Sequence, residues 1–191
     1  MISKNEVLAF SQSIPGYYEL VELEQLYNQV MMLPKYASIL EVGVEFGRSA
    51  SIYFQLAKGG MPLNIFLVDN WSSRGGYEGF TKMVSDHFRD IPYTLLSMKS
   101  HEAYFILERR RFNLIHIDAD HEAEGIWKDC ELWLPTVIPG GVAIFHDYQR
   151  KDVDGKTIVF PGVDKAVDFF TDNAFWEDLG THGTQAKRRK I

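Results

Sequence analysis

Five short polar clusters each follow an apolar run in this chain. They are Glu41, Asp69-Asn70, Ser100-His101, Asp118-Ala119-Asp120-His121 and His146-Asp147. Carboxylates and imidazoles so placed can take a proton or hold a divalent cation. If the runs before Asp118 and His146 are neighbouring strands, Asp118, His146 and Asp147 are three potential ligands for one ion. Carboxylates suit magnesium, and an imidazole suits transition metals better. His121, three residues after Asp118, has an ordinary pKa near 6.5 that suits a base at neutral pH, and Asp120 is the second candidate. Two other readings stay open: Asp120-His121 begins the next helix, and Asp118 and Asp147 serve loop amides while His146 packs beside a ligand. His116 is expected as a satisfied core histidine.

The elements that must position these groups centre on Ala37 to Ser51, read as a buried strand, a glycine turn and a helix start. Gly43 and Gly47 let a ligand lie against the main chain, and the helix beginning near Ser49 offers free N–H groups. A dinucleotide GxGxxG match would need glycine where this chain has Glu41, so that fingerprint is absent. A carboxylate there suits a cationic ligand carrying an ammonium and a sulfonium. Asp69, 22 residues after Gly47, has the spacing of an acid that accepts from ribose hydroxyls, or it caps the next turn. Trp71 stacks on a flat ligand ring or closes its loop, or it packs in the core or a lid.

Along the chain, Tyr17 to Leu33 carries Leu23, Leu26, Tyr27, Val30 and Met31 at helical spacing and stops at Pro34. That helix covers the ligand side or meets another subunit. Ser49 to Lys58 is the next helix, closed by Gly59-Gly60, and Ile65 to Val68 the second strand. A helix bears Phe80, Met83, Val84, His87 and Phe88 on its apolar face. Pro92 opens the third strand, and Ser100 caps a helix with Ala103, Ile106 and Leu107. Phe112 to Asp118 is a strand, and a helix from Ala123 ends at Pro135. Pro139-Gly140-Gly141 turns into a strand at Val142 to Phe145. A helix through Val163 and Phe170 follows, and Phe175 to Ile191 is long enough for an antiparallel pair. The regular alternation predicts an α/β, doubly wound parallel sheet, with its site beyond the carboxyl ends of the strands.

The acidic residue, glycine, three residues and glycine at Glu41 to Gly47 resemble the first motif of class I S-adenosylmethionine-dependent methyltransferases. The run Ile-His-Ile-Asp-Ala-Asp-His, followed by Pro-Gly-Gly-Val-Ala-Ile-Phe-His-Asp-Tyr, is similar to small-molecule O-methyltransferases related to the catechol and macrolide-sugar enzymes. The resemblance runs from about Pro15 to Phe170. It implies a Rossmann-like, seven-stranded, mostly parallel sheet with an antiparallel C-terminal pair, and S-adenosylmethionine as cofactor. The cofactor's contacts would be Glu41, Gly43, Gly47, Ser49, Asp69, Asn70, Trp71, Ser100, His101 and Asp118, with adenine near Ser100 and His101. It also implies a magnesium or manganese ion on Asp118, His146 and Asp147, and transfer of a methyl group to a hydroxyl of a sugar or phenol. His121 stands where the catechol enzymes carry a basic lysine. The departure is His146, where relatives have an aspartate. It leaves metal identity open and keeps a second class in view, a cofactor-binding partner or regulatory protein without catalysis.

The totals bound these expectations. A length of 191 residues suits one domain, with residues 1–34 as a helical cover and 35–191 as the core. No apolar run approaches the roughly 18 residues of a membrane span, and Lys4, Asn5 and Glu6 interrupt any signal-like core, so a cytoplasmic setting is expected. The single Cys130 allows no internal disulfide. A net charge of -6 and the lack of Asn-Pro-Pro-Tyr or Asp-Pro-Pro-Tyr argue against nucleic acid as substrate, and Lys187 to Lys190 reads as a solvated end. Glu41 also disfavours an NAD-dependent oxidoreductase. Tyr17, Tyr18 and the loop Ser72 to Tyr77 are placed to form a substrate lid.

Overall fold

The structure is a computed structural model that describes residues 2–191. Parallel strands buried on both faces need long apolar runs, and these form β1 (Ala37–Val42), β2 (Leu63–Asp69), β4 (Phe112–Ile117) and β5 (Val137–Phe145), while the shorter, partly exposed β3 (Tyr93–Ser97) stands at the sheet edge. An antiparallel hairpin, β6 (Trp176–His182) and β7 (Gln185–Lys190), completes a seven-stranded sheet of order β3-β2-β1-β4-β5-β7-β6. The helices are α1 (Lys4–Ser13), α2 (Leu20–Met31), α3 (Ala50–Lys58), α4 (Gly76–His87), α5 (Ser100–Leu107), α6 (Ala123–Trp133) and α7 (Pro161–Thr171).

Period-two alternation divides the sheet between two cores. Ile39, Ile65, Leu67, Leu114 and Ile144 pack under α1 to α4. Leu40, Val42, Phe66, Ile115, Ile117 and Phe145 pack under α5 to α7. Glu41 and His116 are cross-strand partners of β1 and β4 on the first of these faces, and both are fully buried. A polar pair therefore sits inside an otherwise apolar layer.

Several expectations shift. Helix α1 lay outside them, although Ser3 and Glu6 form a capping box at its start. Strand β5 begins at Val137: Pro139-Gly140-Gly141 is an irregularity inside it, where the register with β4 jumps from Phe112↔Val137 to Leu114↔Val142. The basic run Lys187 to Lys190 belongs to β7, paired with strands on both sides. Its Arg188 is buried and bonded to Asp178 at 2.6 Å. Lys99, not Ser100, is the cap position of α5. Ile106 and Trp127 are exposed, and His87 is exposed at the end of α4 with its ring edge-on to Phe10 at 5.0 Å. No helix among the described residues is long and apolar enough to cross a membrane.

Candidate active site

A cleft of about 930 Å³ opens over the carboxyl ends of the parallel strands. Gly43, Ser49, Asp69, Asn70, Ser100, His101, Asp118, Asp120, His121, His146 and Asp147 all line it. Glu41, Gly47 and Trp71 do not line it. The Glu41 carboxyl accepts from Ser49 Oγ and lies 3.6 Å from His116 Nδ1. Burial, reinforced by the charges of Asp118 and Asp69 and opposed by the Ser49 hydrogen bond, pushes its pKa well above the usual carboxylate range. Gly47 faces Phe80 and Met83 of α4. Trp71 donates its indole N–H to Ser97 Oγ at 3.0 Å and packs on Tyr77 and Phe80.

The glycine loop is shaped by contact with the chain leaving β4. A Cβ on Gly43, which has φ +89°, would stand 1.9 Å from the Asp118 carbonyl oxygen. Asp69 binds the next turn from the other side: Oδ2 accepts from the N–H groups of Val44 (2.6 Å) and Glu45 (2.8 Å), and Oδ1 from that of Trp71 (2.5 Å). Glu45, Trp71 and Asp147 have positive φ, one at the end of each of β1, β2 and β5. Such strained backbone gathers at ligand sites. Arg48 donates to the carbonyls of Ile14 (2.7 Å) and Tyr18 (3.0 Å), which draws the α1–α2 connection over the cleft. Of the two tyrosines expected in a lid, Tyr18 is a buried wall residue, and Tyr17 stands exposed on the rim.

At the other end of the cleft an acid–imidazole cluster forms. Asp118 Oδ1 and Asp147 Oδ2 each lie within 3.5 Å of both His121 Nε2 and His146 Nδ1, the shortest separation being 2.8 Å between His121 and Asp147. The remaining oxygens are held by other donors: Tyr18 O–H to Asp118 Oδ2 at 2.5 Å, and Arg150 to Asp147 Oδ1 at 2.7 Å. His146 turns its Nε2 to Glu22 Oε2 at 3.3 Å, and the His121 ring stacks on Phe160 at 4.5 Å. Burial opposes charge on Asp118 and Asp147, but pairing with the two imidazoles holds both well below the usual carboxylate range. The carboxylates in turn raise His121 to about 9, and they raise His146, which burial alone would lower.

Neither His121 Nε2 nor His146 Nδ1 is aligned for a hydrogen bond, although both are buried. Two unpartnered nitrogens facing the same two oxygens are a donor set that fits a divalent cation. Ligand atoms of Asp118, His121 and Asp147 lie within 4.8 Å of one another. The structure thus brings His121 into the expected ligand group, with His146 beside it. Asp120 accepts from Glu122 N–H at 2.9 Å and seats its other oxygen over Gly125, a turn leading into α6.

His116 lies beneath the cluster, and burial lowers its pKa to about 4, so it is neutral. Tyr53 O–H donates to Nδ1 (3.2 Å), and Nε2–H donates to the Tyr18 oxygen (3.0 Å). This is the one arrangement that leaves the Tyr18 proton for Asp118. Glu22, Asp129 and Arg150 escaped the sequence reading. The first two stand on apolar helix faces, where a lone acid is the only signal, and Arg150 sits in a loop with none.

A sheet of this order, with a glycine loop, an acid after β2 and an acid–imidazole cluster after β4 and β5 sharing one cleft, defines a class I methyltransferase fold. The chain belongs to the methyltransferase-domain family, whose model matches residues 40–148. A relative in Sinorhizobium fredii (strain NBRC 101917 / NGR234), the uncharacterized protein y4gI, is 26% identical over 121 residues, which is 60% of this chain and 13% of that protein's length. The apo structure of CalS11, a TDP-rhamnose 3'-O-methyltransferase of calicheamicin biosynthesis, aligns with a TM-score of 0.65 and 20% identity over 98% of this chain and 80% of its own. A Bacillus cereus O-methyltransferase in complex with SAH aligns with a TM-score of 0.68 and 17% identity, over 98% and 90%.

Proposed function

We propose that this chain is an S-adenosylmethionine-dependent methyltransferase acting on a hydroxyl group of a small molecule. The observation that carries this is the single cleft joining the glycine loop, Asp69 and Ser100 at one end to Asp118, His121 and Asp147 at the other. Family membership and the SAH-bound Bacillus cereus neighbour support the cofactor, and the O-methyltransferase neighbours support the acceptor class.

The acceptor oxygen attacks the methyl carbon in line, the carbon–sulfur bond breaks with its electron pair going to sulfur, and the hydroxyl proton passes to the cluster. The chain's main task is to hold the two reactants in that line. His121 is the imidazole that can reach an acceptor, since its side chain is 31% exposed against 3% for His146. With its pKa near 9 it carries a proton at neutral pH, so its capacity as a base grows as pH rises toward 9. With a divalent cation bound, Asp118, His121 and Asp147, with His146 adjacent, would hold it, and its charge would acidify the acceptor hydroxyl in place of the base role of His121.

Thermal unfolding with S-adenosylmethionine, S-adenosylhomocysteine or NADH tests the reading. Ligand at ~100 times its dissociation constant adds about 2.7 kcal/mol, a rise of ~5–10 °C for a domain of this size. The expected outcome is a rise with the two methionine-derived ligands and none with NADH. A rise with NADH alone would overturn the assignment.

A further inference from the structure

Each carboxylate of the acid–imidazole cluster has one oxygen facing the imidazoles and one held by another donor. Asp118 Oδ1 and Asp147 Oδ2 face His121 Nε2 and His146 Nδ1 at 2.8 to 3.5 Å. The second oxygens are taken: Tyr18 donates to Asp118 Oδ2 at 2.5 Å, and Arg150 to Asp147 Oδ1 at 2.7 Å. Tyr18 has little freedom to let go. Its ring is buried and stacks on His146 at 4.2 Å, its carbonyl accepts from Arg48 at 3.0 Å, and its oxygen accepts from His116 Nε2–H at 3.0 Å. Because Tyr53 O–H fills His116 Nδ1, the hydrogen bonds run one way, from Tyr53 to His116 to Tyr18 to Asp118. That relay starts on α3 and passes through β4, so the core sets the orientation of the Asp118 carboxylate. Arg150 is held less tightly: its side chain is 37% exposed, and its guanidinium lies 5.8 Å over the Phe160 ring.

Calcium takes about six to eight oxygen ligands and commonly draws on both oxygens of a carboxylate. With the second oxygens engaged, Asp118, Asp147, His121 and His146 offer two oxygens and two nitrogens. A transition ion accepts one oxygen from each carboxylate and tolerates imidazole. We infer that Tyr18 and Arg150 set the cation selectivity of this cluster: by engaging the second oxygens they confine Asp118 and Asp147 to one oxygen each, and so exclude calcium in favour of transition ions such as manganese. The inference rests on the cation reading of the site given above. It makes Tyr18 a positioning residue as well as part of the cleft wall.

The test is calorimetric titration of the whole chain at pH 8.5, after treatment with chelator, with manganese and with calcium. Wild type, Tyr18→Phe and Arg150→Met are compared, and bound manganese is followed independently by its electron paramagnetic resonance signal. The wild type should prefer manganese. Each variant frees a carboxylate oxygen, and loss of such an outer partner changes metal affinity by ~10- to 100-fold. Calcium should therefore gain affinity in absolute terms while manganese does not, and the preference should fall by ~10-fold or more. Phenylalanine keeps the ring that stacks on His146, so the lost hydrogen bond is the change being read. Merely structural damage would weaken both ions together. Equal loss for both, or an unchanged preference, overturns the assignment of the residue concerned, and a wild type that prefers calcium overturns it for both. Binding of neither ion by the wild type overturns the cation reading and the inference with it; titration with S-adenosylhomocysteine alongside shows whether the cofactor reading stands. Thermal unfolding reports on each variant's fold, and Arg150→Met, at a half-exposed loop side chain, decides the matter if Tyr18→Phe does not fold.

Discussion

Asp129 is an expensive residue for this fold to keep, because burying a carboxylate opposes folding unless it is fully paired. Burial raises its pKa from 3.8 to about 6; the Ser100 hydrogen bond and Lys128 pull down, and Asp120 pushes up. Since the folded-state value is the higher one, the stability tied to this proton is fully present below pH 3.8 and lost as pH rises through 6. The shift corresponds to roughly 3 kcal/mol. Asp129→Asn keeps an acceptor for Ser100 and removes the charge. Urea unfolding should show the ligand-free variant more stable than wild type by ~1–3 kcal/mol at pH 8, with about half of that gain gone at pH 5 and most of it at pH 4. A stability change equal at all three pH values would mean that charge burial is not what Asp129 contributes.

Between elements, the narrowest tolerance is where the loop after β1 passes the chain leaving β4. Gly43 and Gly60 both have positive φ, +89° and +98°, but a Cβ on Gly60 meets nothing within 4 Å, whereas on Gly43 it strikes backbone atoms of Asp118 and Ala119. Gly60→Ala should therefore cost the conformational strain alone, ~1–2 kcal/mol. Gly43→Ala should cost ~2 kcal/mol or more beyond that, because main-chain atoms must move and take Asp118 with them. Denaturant unfolding of the two variants measures the difference, and similar losses would show that the close approach is relieved cheaply. The strand–turn–helix around Gly43 was legible in the sequence because Ile39, Leu40, Val42 and the two glycines are a local pattern. Alternation of strands and helices made the sheet legible for the same reason, as did Asp118, His121 and Asp147 at strand ends. What could not be read depends on contacts between distant segments. His146 was expected as a ligand beside Asp118 and Asp147, and only the packing of α2 reveals that Glu22 takes its far nitrogen. Ser100 looked like a helix cap because the Asp129 that claims its proton lies 29 residues on.

At the scale of the molecule, the acid–imidazole cluster is a junction. Glu22 of α2 accepts from the Thr184 N–H (2.7 Å) and hydroxyl (2.8 Å) in the β6–β7 turn, and its second oxygen faces His146. Tyr18 and Arg150 hold the outer oxygens of Asp118 and Asp147. The N-terminal cover, β4, β5 and the C-terminal hairpin are thereby fastened to one set of charges. In chelator, the raised His121 contributes stability that is complete below pH 6.5 and lost as pH rises through 9. The lowered Asp118 and Asp147 contribute above pH 3.8 and lose it on acidification. The thermal midpoint should accordingly be highest between about pH 4 and 6.5 and decline toward 9. A divalent cation replaces the imidazole protons, so its affinity rises over the same interval in which the ion pairs weaken. Manganese at ~100 times its dissociation constant should raise the midpoint by ~5–10 °C at pH 8.5 and by much less at pH 6. Magnesium should do so less effectively, because two of the four donors are nitrogen. Identical melting in manganese, magnesium and chelator from pH 6 to 9 would remove the cation from this junction, leaving Asp118, His121, His146 and Asp147 as an ion-pair fastener beside the methyl acceptor.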